Sequence, residues 1–246
     1  MIRKILSTCF VLALTATTWA APVIADDFSF TGLLTANGWA AHSGAGTQAV
    51  DTVAGLTYTG HPYSGVGNAA NLDNTGEDVN KAFTAVSSGP VYVGFLLNAQ
   101  AATEGYFLML SKNPIDTTFR GKVFITTDGT GDYELGLTMG SNTISNKTSL
   151  NLAFNTTYFV VLRYDIVAGT ANDSVSLHVL SSGFPGTEPA SPAIGPISDA
   201  AQSDIDPGSV ALRQYNAAQR IIVDSVRVST TWAETVPVNV SAFSID

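Results

Sequence analysis

The five glutamates are the residues best suited to acid or base catalysis, but their spacing argues against it. Enzymes that hydrolyse glycosidic bonds place two carboxyl groups on either side of the scissile bond. On a strand such groups stand at alternating positions, as in Glu-x-Asp-x-x-Glu, because neighbouring side chains point to opposite faces. None of the glutamates lies in such a pattern, and Glu77 is directly followed by Asp78. The sequence therefore predicts a protein that is not an enzyme. The five are Glu77, Glu104, Glu134, Glu188 and Glu234.

Elimination chemistry has a similarly weak basis in the sequence. A lyase would need tyrosine, histidine and arginine side chains gathered at one point. The histidines His42, His61 and His178 meet this need only if loops bring them to Tyr58 and Tyr63. The sequence also contains no Gly-x-Ser-x-Gly, phosphate-loop, dinucleotide or zinc-binding pattern. A glycan-degrading enzyme is therefore the third of three functional alternatives.

Aromatic and hydrogen-bonding side chains in loop-like sequence favour sugar binding. An aromatic face stacks on a sugar ring, and polar side chains form paired hydrogen bonds with its hydroxyl groups. Trp39, His61 and Tyr63 lie in a glycine-rich segment, residues 37–78, and Arg120 follows a phenylalanine. We expect these four residues to contact an extracellular glycan. The alternative is that Trp39 packs in the core beneath its loop.

The first 25 residues have the pattern of a Sec-type signal peptide. Arg3 and Lys4 precede an apolar run over residues 5–20, and small residues follow it. Cleavage after Ala25 fits best, and cleavage after Ala20 is the alternative. The run is too short for a membrane anchor, and no later apolar stretch is long enough to span a bilayer. The sequence thus predicts a secreted or cell-surface protein without a membrane span.

The remaining chain has the size and charge of one acidic extracellular domain. Subtracting the 25-residue leader from 246 residues leaves 221, a length typical of one β-domain. The cysteine, Cys9, lies in the leader, so a core rather than disulfides must stabilise the domain. The whole chain has a net charge of −9, and removing Arg3 and Lys4 leaves 9 basic against 20 acidic residues. Nucleic acid is excluded as a partner because no basic patch is present.

The strongest structural signal is a two-residue alternation of apolar side chains in residues 158–180. Tyr158, Val160, Leu162 and Tyr164 share one face of the first half, and Val175, Leu177 and Val179 share one face of the second half. Glycine, asparagine and aspartate separate the two halves. This pattern predicts an antiparallel hairpin with one face buried in a core.

Weaker copies of this alternation predict strands along most of the chain. Residues 37–78 are expected to form loops around one short strand, residues 56–59. Five prolines between residues 184 and 207 predict a long irregular crossover. Short, closely spaced strands with few helix signals predict an all-β sandwich. The other expected strands are residues 26–31, 79–85, 91–98, 106–111, 121–126, 133–139, 209–214 and 220–229.

Several short segments together resemble a known family of domains. The chain is similar to the concanavalin A-like jelly-roll domains, with a laminin-G-like final strand, of secreted and surface proteins of Bacteroidota-like bacteria. The resemblance covers residues 26–232 and implies two stacked antiparallel sheets. It leaves residues 1–25 as signal peptide and 233–246 as a linker or tail. The segments that carry it are residues 26–28, 37–39, 65–70, 119–124, 158–164, 172–177, 210–214 and 223–228.

An aspartate in the final strand predicts a metal site. Asp224 lies in an otherwise apolar row of that strand, and an unpaired buried carboxylate is energetically costly. The first and last strands of jelly rolls usually lie side by side, which would bring Asp26 or Asp27 close to it. Because oxygen ligands suit calcium, we expect a structural calcium ion at Asp26, Asp27 and Asp224. The alternative is that Asp224 accepts backbone N–H groups or pairs with an arginine.

Two roles without catalysis therefore lead the interpretation. The first is a secreted module that binds an extracellular glycan or contributes to adhesion. The alternative is a structural or spacer domain of a surface protein without a ligand of its own. The fold class alone does not separate these roles, because the same architecture carries many functions.

Overall fold

The computed structural model describes residues 21–236. Residues 1–20, which hold most of the predicted leader, and residues 237–246, which hold most of the predicted tail, lie outside the described residues. Within the described range fifteen strands form, together with one turn of 3-10 helix at Leu34–Ala36 and one helical turn at Trp232–Thr235. The strands are β1 (Ile24–Asp26), β2 (Ala40–Ser43), β3 (Asp51–Ala54), β4 (Asn68–Leu72), β5 (Asp78–Ala82), β6 (Gly89–Ala101), β7 (Gly105–Ser111), β8 (Arg120–Thr127), β9 (Tyr133–Thr138), β10 (Asn146–Lys147), β11 (Thr157–Ile166), β12 (Ser174–Leu180), β13 (Ile194–Ile197), β14 (Ser209–Leu212) and β15 (Arg220–Ser229).

The strands form two sheets in which every neighbouring pair is antiparallel. The eight-stranded sheet has the order β13-β12-β11-β6-β15-β4-β3, and β1 pairs with β15 beside it. The seven-stranded sheet has the order β10-β9-β8-β7-β14-β5-β2. The predicted all-β, concanavalin A-like sandwich of two antiparallel sheets is confirmed by this arrangement. The chain ends also meet as the jelly-roll resemblance implies, since β1 lies against β15.

The predicted hairpin is confirmed as β11 and β12. Leu162 stands opposite Leu177, and Tyr164 stands opposite Val175. These side chains face the other sheet and join one continuous core. The opposite face of β11 is also buried, because Phe159 and Val161 pack in a second cluster with Trp232. Only the part of the outward face around Phe159 and Val161 is apolar, and loops rather than a sheet pack against it.

Three strands lie in the segment that the sequence analysis expected to be mostly loop. β2, β3 and β4 fall within residues 37–78, while the strand predicted at residues 56–59 is absent. The prediction failed because these strands are short and rich in alanine, asparagine and aspartate, so they lack the usual β-branched alternation. β13 was missed for another reason: it contains Pro196, which an edge strand tolerates.

The first strand begins earlier than predicted. β1 covers Ile24–Asp26, whereas the sequence analysis expected residues 26–31. The strand stops because Phe28 adopts a φ of 46° and its N–H group donates to the Asp26 carboxylate. Ile24 and Val236 are both buried, so packing extends beyond residues 26 and 232 at either end. Within residues 21–236 no helix is long and apolar enough to cross a membrane.

Leu162 provides a direct test of the core. Its side chain is fully buried in the main cluster between the sheets. We expect Leu162→Ala to lower the free energy of unfolding by about 2–5 kcal/mol, because the substitution leaves a cavity. Chemical denaturation measures the change, and Val167→Ala, at an exposed position, is the control that should cost little. Equal losses for the two variants would contradict the packing described here.

The N-terminal strand provides a second test. A chain that starts at Asp26 lacks Ile24 and Ala25, which pair with Val228 and Arg227 of β15. We expect it to be less stable than a chain that starts at Ala21 by about 1.5–3 kcal/mol, the contribution of burying one isoleucine side chain. Thermal and denaturant unfolding of the two chains give the comparison. Identical unfolding curves would show that β1 contributes nothing to stability.

Candidate functional site

The outer face of the seven-stranded sheet carries charged and aromatic side chains that could bind a ligand. Alternation along β8 sends Val123 and Ile125 into the core and leaves Lys122 and Phe124 on the opposite face. In the same way β5 directs Val79 inwards, which leaves its neighbours Asp78 and Asn80 on the outer face. We call this surface the polar face. Its residues are far apart in sequence, and the pairing of the strands brings them together.

A cleft of about 330 Å³ opens on the polar face. β2, β5 and β7 supply its floor, and the loop before β8 supplies one wall. It contains one arginine, two aspartates, one histidine and two aromatic side chains. The lining residues are His42, Ser43, Asp78, Tyr106, Ile115, Asp116, Thr117, Phe119 and Arg213.

An ion pair stacked on an aromatic ring forms the centre of the cleft. Arg213 Nε lies 3.6 Å from Asp78 Oδ2, and the Arg213 guanidinium carbon lies 4.3 Å from the centre of the Tyr106 ring. The backbone N–H of Gln214 donates to Asp78 Oδ1 at 3.0 Å. Burial raises the pKa of the Asp78 carboxyl to about 6, although Arg213 and Gln214 favour its charged form. The carboxylate is thus positioned by one hydrogen bond and one ion pair, and it still faces a cleft.

His42 has two buried ring nitrogens without a hydrogen-bond partner among the described residues. Its ring lies 5.8 Å from the ring of Phe119. Burial, together with the charge of Arg213, lowers the pKa of His42 to about 4, so the ring is neutral near pH 7. A neutral imidazole offers one donor and one acceptor. Leaving both unpaired is costly, so His42 has capacity reserved for a group that enters the cleft.

Lys122 extends the polar face beside Tyr106. Its Nζ atom lies 4.8 Å from the centre of the Tyr106 ring and donates to Asn142 Oδ1 at 2.8 Å. Burial lowers the pKa of Lys122 to about 8, and the charges of Arg120 and Arg213 act in the same direction. Lys122 and Arg213 therefore contact the same Tyr106 ring, and Arg213 does so from within the cleft.

Trp39 does not belong to an exposed sugar-binding surface. The side chain is 3% exposed and stacks on Phe28 with ring centroids 5.9 Å apart. Its Nε1–H group donates to Asp26 Oδ2 at 2.9 Å. The alternative reading, in which Trp39 packs as core beneath its loop, is correct. The sequence could not show this because the partner of the indole lies on another strand.

The other three predicted ligand residues lie at two separate places. Arg120, on β8, is buried and donates to the backbone oxygen and hydroxyl of Ser203 at 2.6 and 2.8 Å. His61 is buried on the other side of the sandwich, against Phe159 of the eight-stranded sheet. Tyr63 contacts His61 edge to face and is 37% exposed. The predicted set is therefore corrected: it forms no single site, and Tyr63 alone of the four presents an exposed ring.

The three aspartates predicted to bind calcium already have donors. Asp224 Oδ2 accepts the Leu56 N–H at 2.7 Å, and Asp224 Oδ1 accepts the Ser225 N–H at 2.5 Å. Asp26 accepts Lys81 Nζ at 2.6 Å, and Asp27 lies 3.3 Å from an arginine nitrogen of Arg227.

These contacts do not fit a calcium site. Residues 21–236 contain no group of three or more histidine, cysteine, aspartate or glutamate side chains arranged to hold a metal ion. The alternative reading of Asp224, as an acceptor of backbone N–H groups, describes its contacts. That the chain binds one structural calcium ion stays a prediction of the sequence.

Sequence reasoning missed the central residues of the cleft. Asp78, Tyr106 and Arg213 lie on or beside strands that were predicted, but their meeting depends on the pairing of β5, β14 and β7. The available signal was the alternation on β8, which places Lys122 and Phe124 on the face opposite to Val123 and Ile125.

Comparisons with known proteins find distant similarity of fold. The globular domain of T. cruzi calreticulin matches with a TM-score of 0.49 and 11% identity, covering 85% of this chain and 88% of that one. The metal-free Emp46p carbohydrate recognition domain matches with a TM-score of 0.47 and 8% identity, covering 84% and 95%. A basic winged bean lectin with Tn-antigen matches with a TM-score of 0.42 and 13% identity, covering 83% and 97%.

Sequence comparison adds no relative. No protein-family model matches the chain, and no curated protein matches it. None of the structural matches supports the bacterial group named in the sequence resemblance, which stays a prediction. Since the identities and TM-scores are this low, the function has to be argued from the residues of the cleft.

Asp224 provides a test based on pH. Burial raises its pKa to about 7, opposed by the two N–H donors, whereas an aspartate in an unfolded chain titrates near ~3.9. Between these values the folded protein holds a proton that the unfolded chain has lost, so this contribution to stability falls as the pH rises towards 7. Asp224→Asn cannot titrate. The free energy of unfolding of the wild type should therefore fall relative to that of the variant from about pH 5 to about pH 7.

Denaturant unfolding across this pH range measures the difference. Asp51→Asn, at an exposed aspartate of β3, is the control and should run parallel to the wild type. A wild type and an Asp224→Asn variant that also run parallel would contradict the raised pKa. Repeating the wild-type series with chelator tests calcium, since a lowered unfolding temperature would mean that a bound ion had been removed.

Proposed function

We propose that this chain is a non-catalytic extracellular module that binds a glycan in the cleft of the polar face. The carrying observation is the pair of buried, unpartnered ring nitrogens of His42 on the cleft wall. Sugars present hydroxyl groups that donate and accept at once, which is what a neutral imidazole needs. The cleft therefore offers His42 the partners that the protein itself does not supply.

The remaining side chains supply the other contacts that a sugar requires. Phe119 and Tyr106 line the cleft, and the exposed ring of Tyr215 lies 5.9 Å from that of Tyr106. Aromatic surfaces stack on the apolar faces of sugar rings. Asp78 and Arg213 supply an acceptor and several donors at fixed positions. An apolar surface with a few fixed polar groups is typical of small-ligand sites.

The ion pairs of the cleft carboxylates favour binding of a glycan over its hydrolysis. Hydrolysis needs one carboxyl group as acid and a second as nucleophile or base. Asp78 is paired with Arg213, and Asp116 accepts Lys112 Nζ at 2.8 Å. Each carboxylate already balances a cation, so we propose no catalytic role for either. Export to the cell exterior rests on the predicted leader, residues 1–25.

A structural or spacer role remains the alternative. In that case the polar face would contact only solvent, and no ligand would pair with the His42 nitrogens. A glycan array probed with residues 21–236 separates the two roles. Binding to no glycan would favour the spacer role.

His42→Phe is the sharpest variant for this proposal. Phenylalanine keeps a ring against Phe119 and removes both nitrogens. We expect affinity for the bound glycan to fall about tenfold or more, since hydrogen bonds of about 1 kcal/mol each are lost. The unfolding temperature should stay the same or rise, because two buried unpaired polar atoms disappear. Calorimetric titration and thermal unfolding give the two readouts.

His61→Phe is the matched control. It makes the same substitution at a second buried histidine whose pKa burial also lowers to about 4, but on the other side of the sandwich. This variant should keep wild-type affinity. Equal affinity of His42→Phe and wild type would place the ligand elsewhere. Release of reducing ends or unsaturated sugars from a bound glycan would overturn the non-catalytic assignment.

A further inference from the structure

The cations of this acidic chain are distributed unevenly. Residues 21–236 contain nine lysines and arginines, and six of them lie within 4.0 Å of a carboxylate oxygen. The three without such a partner in this range are Arg120, Lys122 and Arg220. Two of these three, Arg120 and Lys122, stand two residues apart on β8.

Both cations on β8 are buried, but they lie at different places. Arg120 is 6% exposed and Lys122 is 5% exposed. Lys122 lies on the polar face beside Tyr106, whereas Arg120 stands opposite Leu110 of β7 and reaches Ser203 of the crossover. Their donors reach neutral oxygens alone among the described residues: two backbone oxygens and the Ser203 hydroxyl for Arg120, and the Asn142 amide for Lys122. A buried cation that pairs with a carboxylate regains part of the free energy lost on desolvation. Arg120 and Lys122 have no carboxylate within 4.0 Å among the described residues, so they regain less.

Other cations add to the positive charge at Lys122. Burial lowers the pKa of Lys122, and the charges of Arg120 and Arg213 act in the same direction. The carboxylates that face the cleft are Asp78, paired with Arg213, and Asp116, paired with Lys112. Each therefore cancels one cation. Lys122 is left as the buried cation of the polar face that has no carboxylate within 4.0 Å among the described residues.

We propose that the glycan bound in the cleft is acidic and carries a carboxylate or sulfate group. The inference rests on the proposed function and specifies its ligand. Arg213 lines the cleft and offers the direct contact, while Lys122, 4.8 Å from the centre of the Tyr106 ring, supplies positive potential. An anionic sugar would provide the counter-charge that Lys122 lacks. Low local dielectric makes this attraction stronger than at an exposed surface.

Matched pairs of ligands test the charge alone. One pair is an oligogalacturonate and its fully methyl-esterified form, and the other is a κ-carrageenan oligosaccharide and its desulfated form. We expect at least one acidic member to bind about tenfold or more tightly than its neutral partner, because hydrogen bonds to charged groups are the stronger ones. The preference should weaken as salt is added. The two arms distinguish a carboxylate from a sulfate.

Substitutions at Lys122 test whether this residue of β8 causes the preference for the acidic ligand. Lys122→Met keeps an unbranched chain beside Tyr106 and should reduce the preference for the acidic ligand, while Lys122→Arg should retain it. Lys147→Met removes a half-exposed cation that already pairs with Glu134, and it should change nothing. Thermal unfolding confirms that each variant is folded. Removing an uncompensated buried charge is not expected to destabilise the protein.

The possible outcomes separate this inference from the proposed function. Binding of acidic and neutral members with equal affinity overturns the inference and leaves glycan binding intact. An acidic preference that Lys122→Met leaves unchanged also overturns it, since the preference would then arise elsewhere. No binding of any oligosaccharide, in these pairs or on the array, overturns the proposed function itself.

Discussion

The central constraint in this molecule is the contact between two sheets that must each bury one face. Phe95 of β6 meets Phe107 of β7 across the interface, with ring centroids 6.2 Å apart and the planes nearly perpendicular. β6 is the longest strand, and both β11 and β15 pair with it. Because the inward face of each strand is committed to this core, side chains at alternate positions are directed away from it. The surroundings of these outward side chains therefore determine which parts of the surface are available for function.

The outward faces of the two sheets differ in how far other segments of the chain cover them. The proline-rich crossover and the C-terminal turn cover the eight-stranded sheet, where Trp232 Nε1 donates to the Pro185 oxygen at 3.0 Å. Glu188 fixes this cover, since Arg163 Nη1 and the Tyr92 hydroxyl both lie 2.8 Å from its carboxylate. The arginine lowers the pKa of Glu188, so the ion pair holds near neutral pH. The polar face of the seven-stranded sheet instead retains an open cleft.

The fold was more predictable than the site, for a physical reason. Alternation in residues 158–180 is a local property, so β11, β12 and their core face could be predicted from sequence. The pairing of Asp78 with Arg213 joins residues far apart in the chain, and it depends on β14 lying between β5 and β7. Trp39 illustrates the same limit, since its burial follows from Asp26 on a neighbouring segment. A loop-like sequence around an aromatic residue does not determine whether that residue is exposed.

The contrast between the faces also bears on function. Around Glu188 the chain satisfies buried polar groups: His178 Nε2 lies 3.0 Å from its second oxygen, completing a network of three partners. The same chain leaves His42 without partners and Lys122 without a counter-ion on the polar face. Apolar side chains at those two positions would avoid a desolvation cost, so folding stability does not account for them. His61 Nε2 is also buried without a partner among the described residues, on the other side of the sandwich. On the polar face the unpaired groups lie beside a cleft, and that position is the basis of the proposal that a ligand pairs with them.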